Sequence, residues 1–152
     1  MDAPAARAIS GIGYNFYVPG DTSFALHYDV ENETEHLALC SYSGEGEAIV
    51  EIPAYVTRIS GGVFQENETI EQVMLPEGLT SISGWLFHNC VNLRQVNIPE
   101  SVAVIENHAF EGCSALESIE LPEGLTAIDD SAFEGCESLT ELILPVGKKG
   151  LL

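Results

Sequence analysis

Hydrophobic positions recur along most of this chain with a fixed period of 23 residues. An aliphatic residue followed by proline marks each period, from Ile52-Pro53 to Leu144-Pro145. A single turn of this length cannot enclose its own apolar residues, whereas stacked turns bury each column against its neighbours. The pattern therefore predicts a β-rich repeat solenoid. The most regular aromatic column is Phe64, Phe87, Phe110 and Phe133.

Each period predicts one strand and one short outer segment. Residues 93–98 fit the spacing L-x-x-L-x-L, with Val96 and Ile98 on one face and Gln95 and Asn97 on the other. The following proline has no N–H to donate, so the strand should end there. The stretch 109–113 is too short for more than a single helical or 3₁₀ turn. We expect one parallel strand per 23-residue turn, with short helical or 3₁₀ segments on the outer side.

The repeats resemble the BspA-like (type-5) leucine-rich repeats, found on many bacterial surface proteins and in some protist proteins. The resemblance covers residues 52 to about 145, and its first unit departs by carrying Asn67 where the later units carry Cys. It implies a right-handed superhelix used for adhesion or protein recognition, without enzymatic activity. The residues that carry it are Ile98, Pro99, Val102, Ile105, Ala109, Phe110, Gly112, Cys113, Leu116 and Ile119.

The chain divides into four parts in this interpretation. Residues 14–51 contain three predicted strands and form an N-terminal β cap, which hides the open end of a solenoid. Residues 1–13 form a flexible segment. Residues 52–143 form four repeats of 23 residues, and residues 144–152 a partial fifth repeat with a C-terminal tail. The strands of the cap are expected around Phe24 to Val30, Leu37 to Cys40 and Ala48 to Ile52, with a turn at 31–34.

The charge excludes some classes of partner. There are 24 acidic and 5 basic residues, which give a formal net charge of −19. Nucleic acids and anionic lipids are bound through clustered Lys and Arg, so neither is an expected partner. No apolar run is long enough to cross a bilayer, so no membrane insertion is expected. Residues 1–7 lack the features of a signal peptide. The chain is therefore cytoplasmic, or secreted or at the cell surface after removal of a leader, and the resemblance favours the second.

Neither metal nor catalytic chemistry is expected. Cys90, Cys113 and Cys136 share one column, and a spacing of 23 is wrong for the close Cys pairs of zinc sites. Side chains of one column point in parallel, so buried free thiols are favoured over a disulfide or a metal site. The four histidines are dispersed, and no nucleophile elbow, His-Glu-x-x-His motif or phosphate loop is present. We expect no enzyme activity, no metal and no cofactor.

The expected binding site is the outward face of the strands, a concave surface that we call the strand face. Such surfaces have no core to cover and are where solenoids usually bind. Trp85, the single tryptophan, is a possible anchor for a partner on the outer side, or it lies flat over His108 of the next turn. The predicted strand-face residues are Gln72, Met74, Arg94, Gln95, Asn97, Glu117, Ser118, Glu120 and Glu141.

Two functions fit these features. The first is a recognition or adhesion module of a bacterial surface protein, with a protein or glycan partner on the strand face. The second is a structural spacer, or a fragment of a longer array, with no ligand of its own. In either case the fifth repeat dissolves after Pro145, so the fourth should be partly exposed at its end. An open strand edge is a template for pairing, which makes end-to-end self-association through the C-terminal edge possible.

Overall fold

A computed structural model describes residues 14–18, 21–31 and 34–145. It is a parallel β-solenoid of about five turns with about 23 residues per turn, which confirms the predicted fold class. We call each period a coil and number the coils 52–74, 75–97, 98–120 and 121–143. The predicted segments at 1–13 and 146–152, and part of the predicted turn at 31–34, lie outside the described residues.

Two parallel ladders run along the solenoid, where the sequence predicts one strand per turn. The predicted strands form the first ladder, which pairs β4 with β6 and β6 with β8, and then β10 with β12. The second ladder pairs β7, β9 and β11. The first-ladder strands are β4 (Ile49–Glu51), β6 (Gln72–Met74), β8 (Gln95–Val96), β10 (Ser118–Glu120) and β12 (Glu141–Ile143); the second-ladder strands are β7 (Ser81–Ile82), β9 (Val104–Ile105) and β11 (Ala127–Ile128). β5 (Arg58–Ile59) occupies the equivalent place in the first coil.

Three antiparallel strands precede the coils. These are β1 (Tyr14–Val18), β2 (Asp21–Glu31) and β3 (Thr34–Tyr42), and β3 also pairs in parallel with β5. Side chains from this sheet, including Leu26 and Leu39, belong to the same hydrophobic core as the coils. The antiparallel sheet is therefore continuous with the solenoid in both backbone pairing and core.

The core is a set of columns in which equivalent residues of successive coils touch. The phenylalanine column forms a stack with ring centroids 5.2–5.6 Å apart, and Tyr42 continues it at 5.1 Å from Phe64. Phe64, Phe87 and Phe110 are fully buried, whereas Phe133 is only partly buried. The last coil is thus the least enclosed, as expected from the sequence.

The turn segments, which connect the two ladders in each coil, are residues 61–70 and the equivalent 84–93, 107–116 and 130–139. No helix occurs among the described residues. Instead, hydrogen bonds of the 3₁₀ type alternate with bonds to the next coil. The N–H of Leu86 donates to the carbonyl of Ser83, whereas that of Trp85 donates to Asn107, one coil ahead. Because every second amide bonds to a neighbouring coil, the turns do not merge into a helix.

The turn segments contain two columns in which the backbone is left-handed. One is Gly62, Trp85, His108 and Ser131, with φ between 57° and 71°. The other is Glu66, Asn89, Gly112 and Gly135, with φ between 56° and 76°. An L-residue in this region costs about 1–2 kcal/mol, and a bulky one is rare there. The conformation belongs to the coil as a whole, and glycine suits it best.

Candidate functional site

All the predicted strand-face residues belong to, or directly adjoin, the first ladder. Its register places Gln72 opposite Gln95 and Ser118 opposite Glu141. In β6 and β10 the middle residue points into the core and its neighbours point outward. The strands thus bring residues one period apart in the sequence onto one surface. Gln72 is half-buried, and the other eight predicted residues are exposed.

Asn97 has a structural role that the sequence does not reveal. Its side-chain amide donates to the carbonyl of Leu75 at 3.1 Å, and its Oδ1 accepts from the Leu75 N–H at 2.8 Å. At the equivalent places in the other coils the acceptor is a backbone carbonyl: the N–H of Ile52 donates to the carbonyl of Met74, and that of Leu121 to the carbonyl of Ile143. Asn97 therefore ties the end of β8 to the end of β6, the neighbouring strand of the first ladder.

A groove of about 370 Å³ lies on the strand face between the ends of the third and fourth strands of the first ladder. Its exposed lining residues are polar except Ile143, which contributes an apolar wall that is 42% exposed. Met74 is also 42% exposed, on the same column, and Ile49 is exposed at the N-terminal end of the ladder. Ile49 is absent from the predicted site, because its column carries polar residues in every later coil. The groove is lined by Gln95, Asn97, Ile98, Glu100, Ser118, Glu120 and Ile143, among others.

The electrostatic character of the strand face is acidic. Arg94 is the one predicted residue of this face with a positive charge. It lies beside exposed carboxylates at Glu71 and Glu117, which occupy its own column in the adjacent coils. Carboxylates of Glu100 and Glu120 also line the groove. The face therefore combines isolated apolar side chains with a surplus of negative charge.

A second cluster lies on the turn segments around Trp85. The indole stacks on the imidazole of His108 with ring centroids 4.2 Å apart and an angle of 24° between the planes. This confirms the expectation that Trp85 lies over His108, yet the indole is still 39% exposed. His88 meets the indole edge-on at 4.7 Å. The carboxylate of Glu111 contacts Nδ1 of His108 and lies 3.8 Å from Nε2 of His88, so it links the two histidines.

The cysteine column is built into the coils through hydrogen bonds. The thiols of Cys90 and Cys113 are fully buried and donate to the carbonyls of Phe64 and Phe87 in the preceding coils, at 3.0 and 3.1 Å. Cys136 makes the equivalent bond to Phe110 and is partly buried. In the first coil, Asn67 stands in this column, and its Oδ1 accepts hydrogen bonds from the backbone N–H groups of Thr69 and Ile70.

Burial controls the acidity of these thiols. Desolvation raises the pKa of Cys90 from 9.0 to about 12 and that of the less buried Cys136 to about 11. Desolvation raises the pKa of Cys113 as well, and repulsion from Cys90 and Cys136 adds to the effect. Thiols in this state are neutral and poorly reactive. None of the cysteines forms a disulfide, and the described residues hold no group of three or more Cys, His, Asp or Glu arranged for a metal ion.

Comparison with protein families identifies the repeats. The model of the BspA type leucine rich repeat region matches residues 42–150, in six copies. The chain belongs to the BspA-type leucine-rich repeat family. This confirms the resemblance seen in the sequence and extends it into the region before Ile52. Proteins with such repeats commonly serve as protein-interaction modules and generally lack enzymatic activity.

Solved structures share the fold of this BspA-type chain. A leucine-rich repeat protein from Bacteroides ovatus is 27% identical with a TM-score of 0.70; the alignment covers 87% of this chain and 42% of that one. A leucine-rich repeat protein from Bacteroides capillosus is 22% identical with a TM-score of 0.72, over 86% of this chain and 98% of that one. A leucine rich cell surface protein from Faecalibacterium prausnitzii is 23% identical with a TM-score of 0.60, over 91% and 44% respectively.

These relatives differ in length from the BspA-type chain. It spans less than half the length of the Bacteroides ovatus protein and nearly all of the Bacteroides capillosus protein. No curated protein sequence matches it significantly. Within the described residues, no helix is long and apolar enough to cross a membrane.

Proposed function

We propose that this chain is a non-catalytic recognition module that binds a protein partner on the strand face. The observation that carries the proposal is the groove at the ends of β8 and β10, where apolar Ile143 stands exposed among polar side chains. Neither Ile143 nor Met74 is needed to fill the core, because both point away from it. Apolar anchors surrounded by polar groups are typical of protein interfaces.

The charge of the face indicates the chemistry of the partner. Acidic side chains flank the groove, and the whole chain carries a formal net charge of −19. Complementary charge speeds association and rejects partners of the wrong sign. The partner is therefore a protein whose contact surface combines apolar residues with Lys or Arg. The thiols of the cysteine column are poorly reactive, which supports a non-catalytic role for this chain.

A location at the bacterial cell surface belongs to the same proposal. It is supported by the likeness to a leucine rich cell surface protein from Faecalibacterium prausnitzii. The division into parts is also a proposal: residues 14–51 cap the N-terminal end, residues 52–143 form four repeats, and residues 144–152 belong to a partial fifth. Pairing of β3 with β5 and the shared core support the capping role.

A peptide array tests the strand face. The array presents short apolar peptides with interspersed lysines, and matched peptides with glutamate in place of lysine. We expect the chain to bind the lysine set, and the substitutions Met74→Ser and Ile143→Ser each to weaken binding by about tenfold, or ~1.4 kcal/mol. Val91→Ser is the matched control, because Val91 is an exposed apolar residue of a turn segment.

Two results would contradict the proposal. Binding of neither peptide set would favour the structural spacer, which has no ligand. Equal loss of binding in the Val91→Ser control would show that the peptides attach elsewhere.

A further inference from the structure

The Trp85 ring has a side chain of its own column on one side only. Equivalent residues of successive coils stack along this column, and on one side His108 covers the indole. On the other side the equivalent residue is Gly62, which has no side chain. Backbone bonds from Gly62 to Gly84 and from Trp85 to Asn107 show that these coils keep the same spacing. The stack of side chains therefore stops at Trp85. We call the place that a side chain at position 62 would occupy, beside the ring, the gap.

The ring is held firmly in place. His108 packs flat on one face, His88 meets the edge, and Glu111 links both histidines. The backbone at Trp85 is left-handed with φ of 64°, a conformation that a bulky residue rarely adopts. A fixed ring loses little entropy when a ligand stacks on it.

The border of the gap is polar. A Cβ atom at position 62 would lie 3.1 Å from Oε1 of Gln65, so this exposed amide stands at the edge of the gap. The next residue, Glu66, is exposed as well. The site thus offers one apolar ring face with hydrogen-bonding groups around it. Sites for small polar ligands combine these two elements.

We propose that the gap between Gly62 and Trp85 binds a neutral hexopyranose unit of a glycan. A pyranose ring presents axial C–H groups on one face, and the negative face of an indole attracts such weakly positive hydrogens. Its hydroxyl groups lie around the rim, where Gln65 can donate to and accept from them. This site lies on the turn segments, separate from the strand face, and it is independent of the proposed protein recognition.

Two observations favour a neutral sugar over other ligands. Among the side chains that the structure describes, Trp85 is isolated: the other exposed large apolar residues lie on the strand face, except Val91, which lies beyond Cys90 in the turn segment. A protein anchor is normally surrounded by further contacts that exclude water, and this surface lacks an apolar surround. The net charge of −19 repels anionic sugars, which leaves uncharged hexoses and N-acetylhexosamines as the fitting class.

The experiment titrates the full chain with cellotetraose and with triacetylchitotriose. Trp85 is the sole tryptophan, so its fluorescence reports binding at this place, and saturation-transfer NMR identifies the sugar protons that touch the protein. We expect a dissociation constant on the order of 1 mM for at least one sugar, with saturation strongest at the axial C–H protons.

A pair of matched variants separates the gap from the rest of the column. Gly62→His fills the gap with a side chain that the same backbone conformation accepts at His108, and it should weaken binding by at least about tenfold. Ser131→His places the same side chain in the same column away from Trp85 and should leave binding unchanged. Trp85→Gly fits the left-handed backbone and should abolish binding as measured by NMR. Trp85→Phe keeps a flat ring and should retain part of it.

The outcomes decide the proposal. No binding of either sugar overturns it, and so does equal binding by Gly62→His and the wild-type chain. If Gly62→His unfolds, the contrast between Trp85→Gly and Trp85→Phe gives the same decision. Quenching of Trp85 by aromatic peptides in place of sugars would assign the ring to a protein partner. Met74→Ser and Ile143→Ser should not affect sugar binding, so this site and the strand face can fail separately.

Discussion

The thiols show most clearly how position in the coil sets the chemistry of a residue. In a solvated peptide each would have its ordinary pKa near 9. In the coils the same side chain donates to a phenylalanine carbonyl of the preceding coil and is shut off from water. Burial penalises the thiolate, and the penalty decreases from Cys90 to the less enclosed Cys136. These cysteines therefore behave as small hydrophobic residues with one weak hydrogen bond.

A pH dependence of stability follows from these raised pKa values. The unfolded chain releases its thiol protons near pH 9, while the folded chain keeps that of Cys136 to about pH 11 and that of Cys90 to about pH 12. The stabilisation is complete below pH 9 and is lost as the pH rises through this window. Each thiol should contribute a slope of up to about 1.4 kcal/mol per pH unit. Urea denaturation at several pH values measures it.

The variant Cys90→Ala is the control for this experiment. It should be less stable at neutral pH because of the cavity, but its free energy of unfolding should decline less steeply above pH 9. An unchanged slope would mean that other groups cause the pH dependence.

At the scale of the structural elements, the members of one core column differ in how far they are enclosed. Phe110 lies between Phe87 and Phe133, with a ring on both sides, and is fully buried. Phe133 has a ring on one side only among the described residues and is partly exposed. The two residues thus occupy the same column in different surroundings.

Substitution in this column should reveal the difference. Phe110→Ala leaves a cavity between coils and should lower the free energy of unfolding by about 3–5 kcal/mol. Phe133→Ala should cost clearly less, because its site is partly open to water. Chemical denaturation of both variants gives the comparison. Equal losses would show that the two ends of the column are equally enclosed.

The elements also show what sequence reasoning can and cannot reach. The columns of Phe64 and Val73 were predictable because a core position repeats in every coil. The strands of the second ladder, such as Ser81–Ile82, are only two residues long, so their repeated isoleucine indicates burial but no hydrogen-bond pattern. The role of Asn97 occurs in a single coil and leaves no periodic signal. The strand face was predicted as a surface, whereas the groove depends on how adjacent strands end.

At the scale of the whole molecule, the net charge and the partly exposed last coil have opposite effects on self-association. The side chains of Ile128, Phe133, Leu139 and Leu142 are partly exposed. Among the described residues, β11 and β12 pair with a strand on one side only. Such an edge favours pairing with a second copy. The net charge of −19 opposes it, since two copies repel each other.

Salt should therefore shift the balance towards self-association. Screening of the charges at high NaCl weakens the repulsion while the apolar contact remains. We expect a monomer at low salt and a measurable dimer fraction at high salt, detected by sedimentation velocity at several protein concentrations. A strict monomer under both conditions would contradict end-to-end association through this edge.

The left-handed positions of the turn segments have a consequence for how such a protein changes over evolutionary time. Because each coil repeats the same backbone conformation and the same bonds to its neighbours, an in-frame duplication of one coil would join to the array as any other coil does. The inward columns must stay constant for this to work. The outward residues are free of that requirement, so a single coil can acquire a residue such as Trp85 while its neighbours preserve the fold. New surface chemistry and inherited architecture can thus be altered independently, one coil at a time.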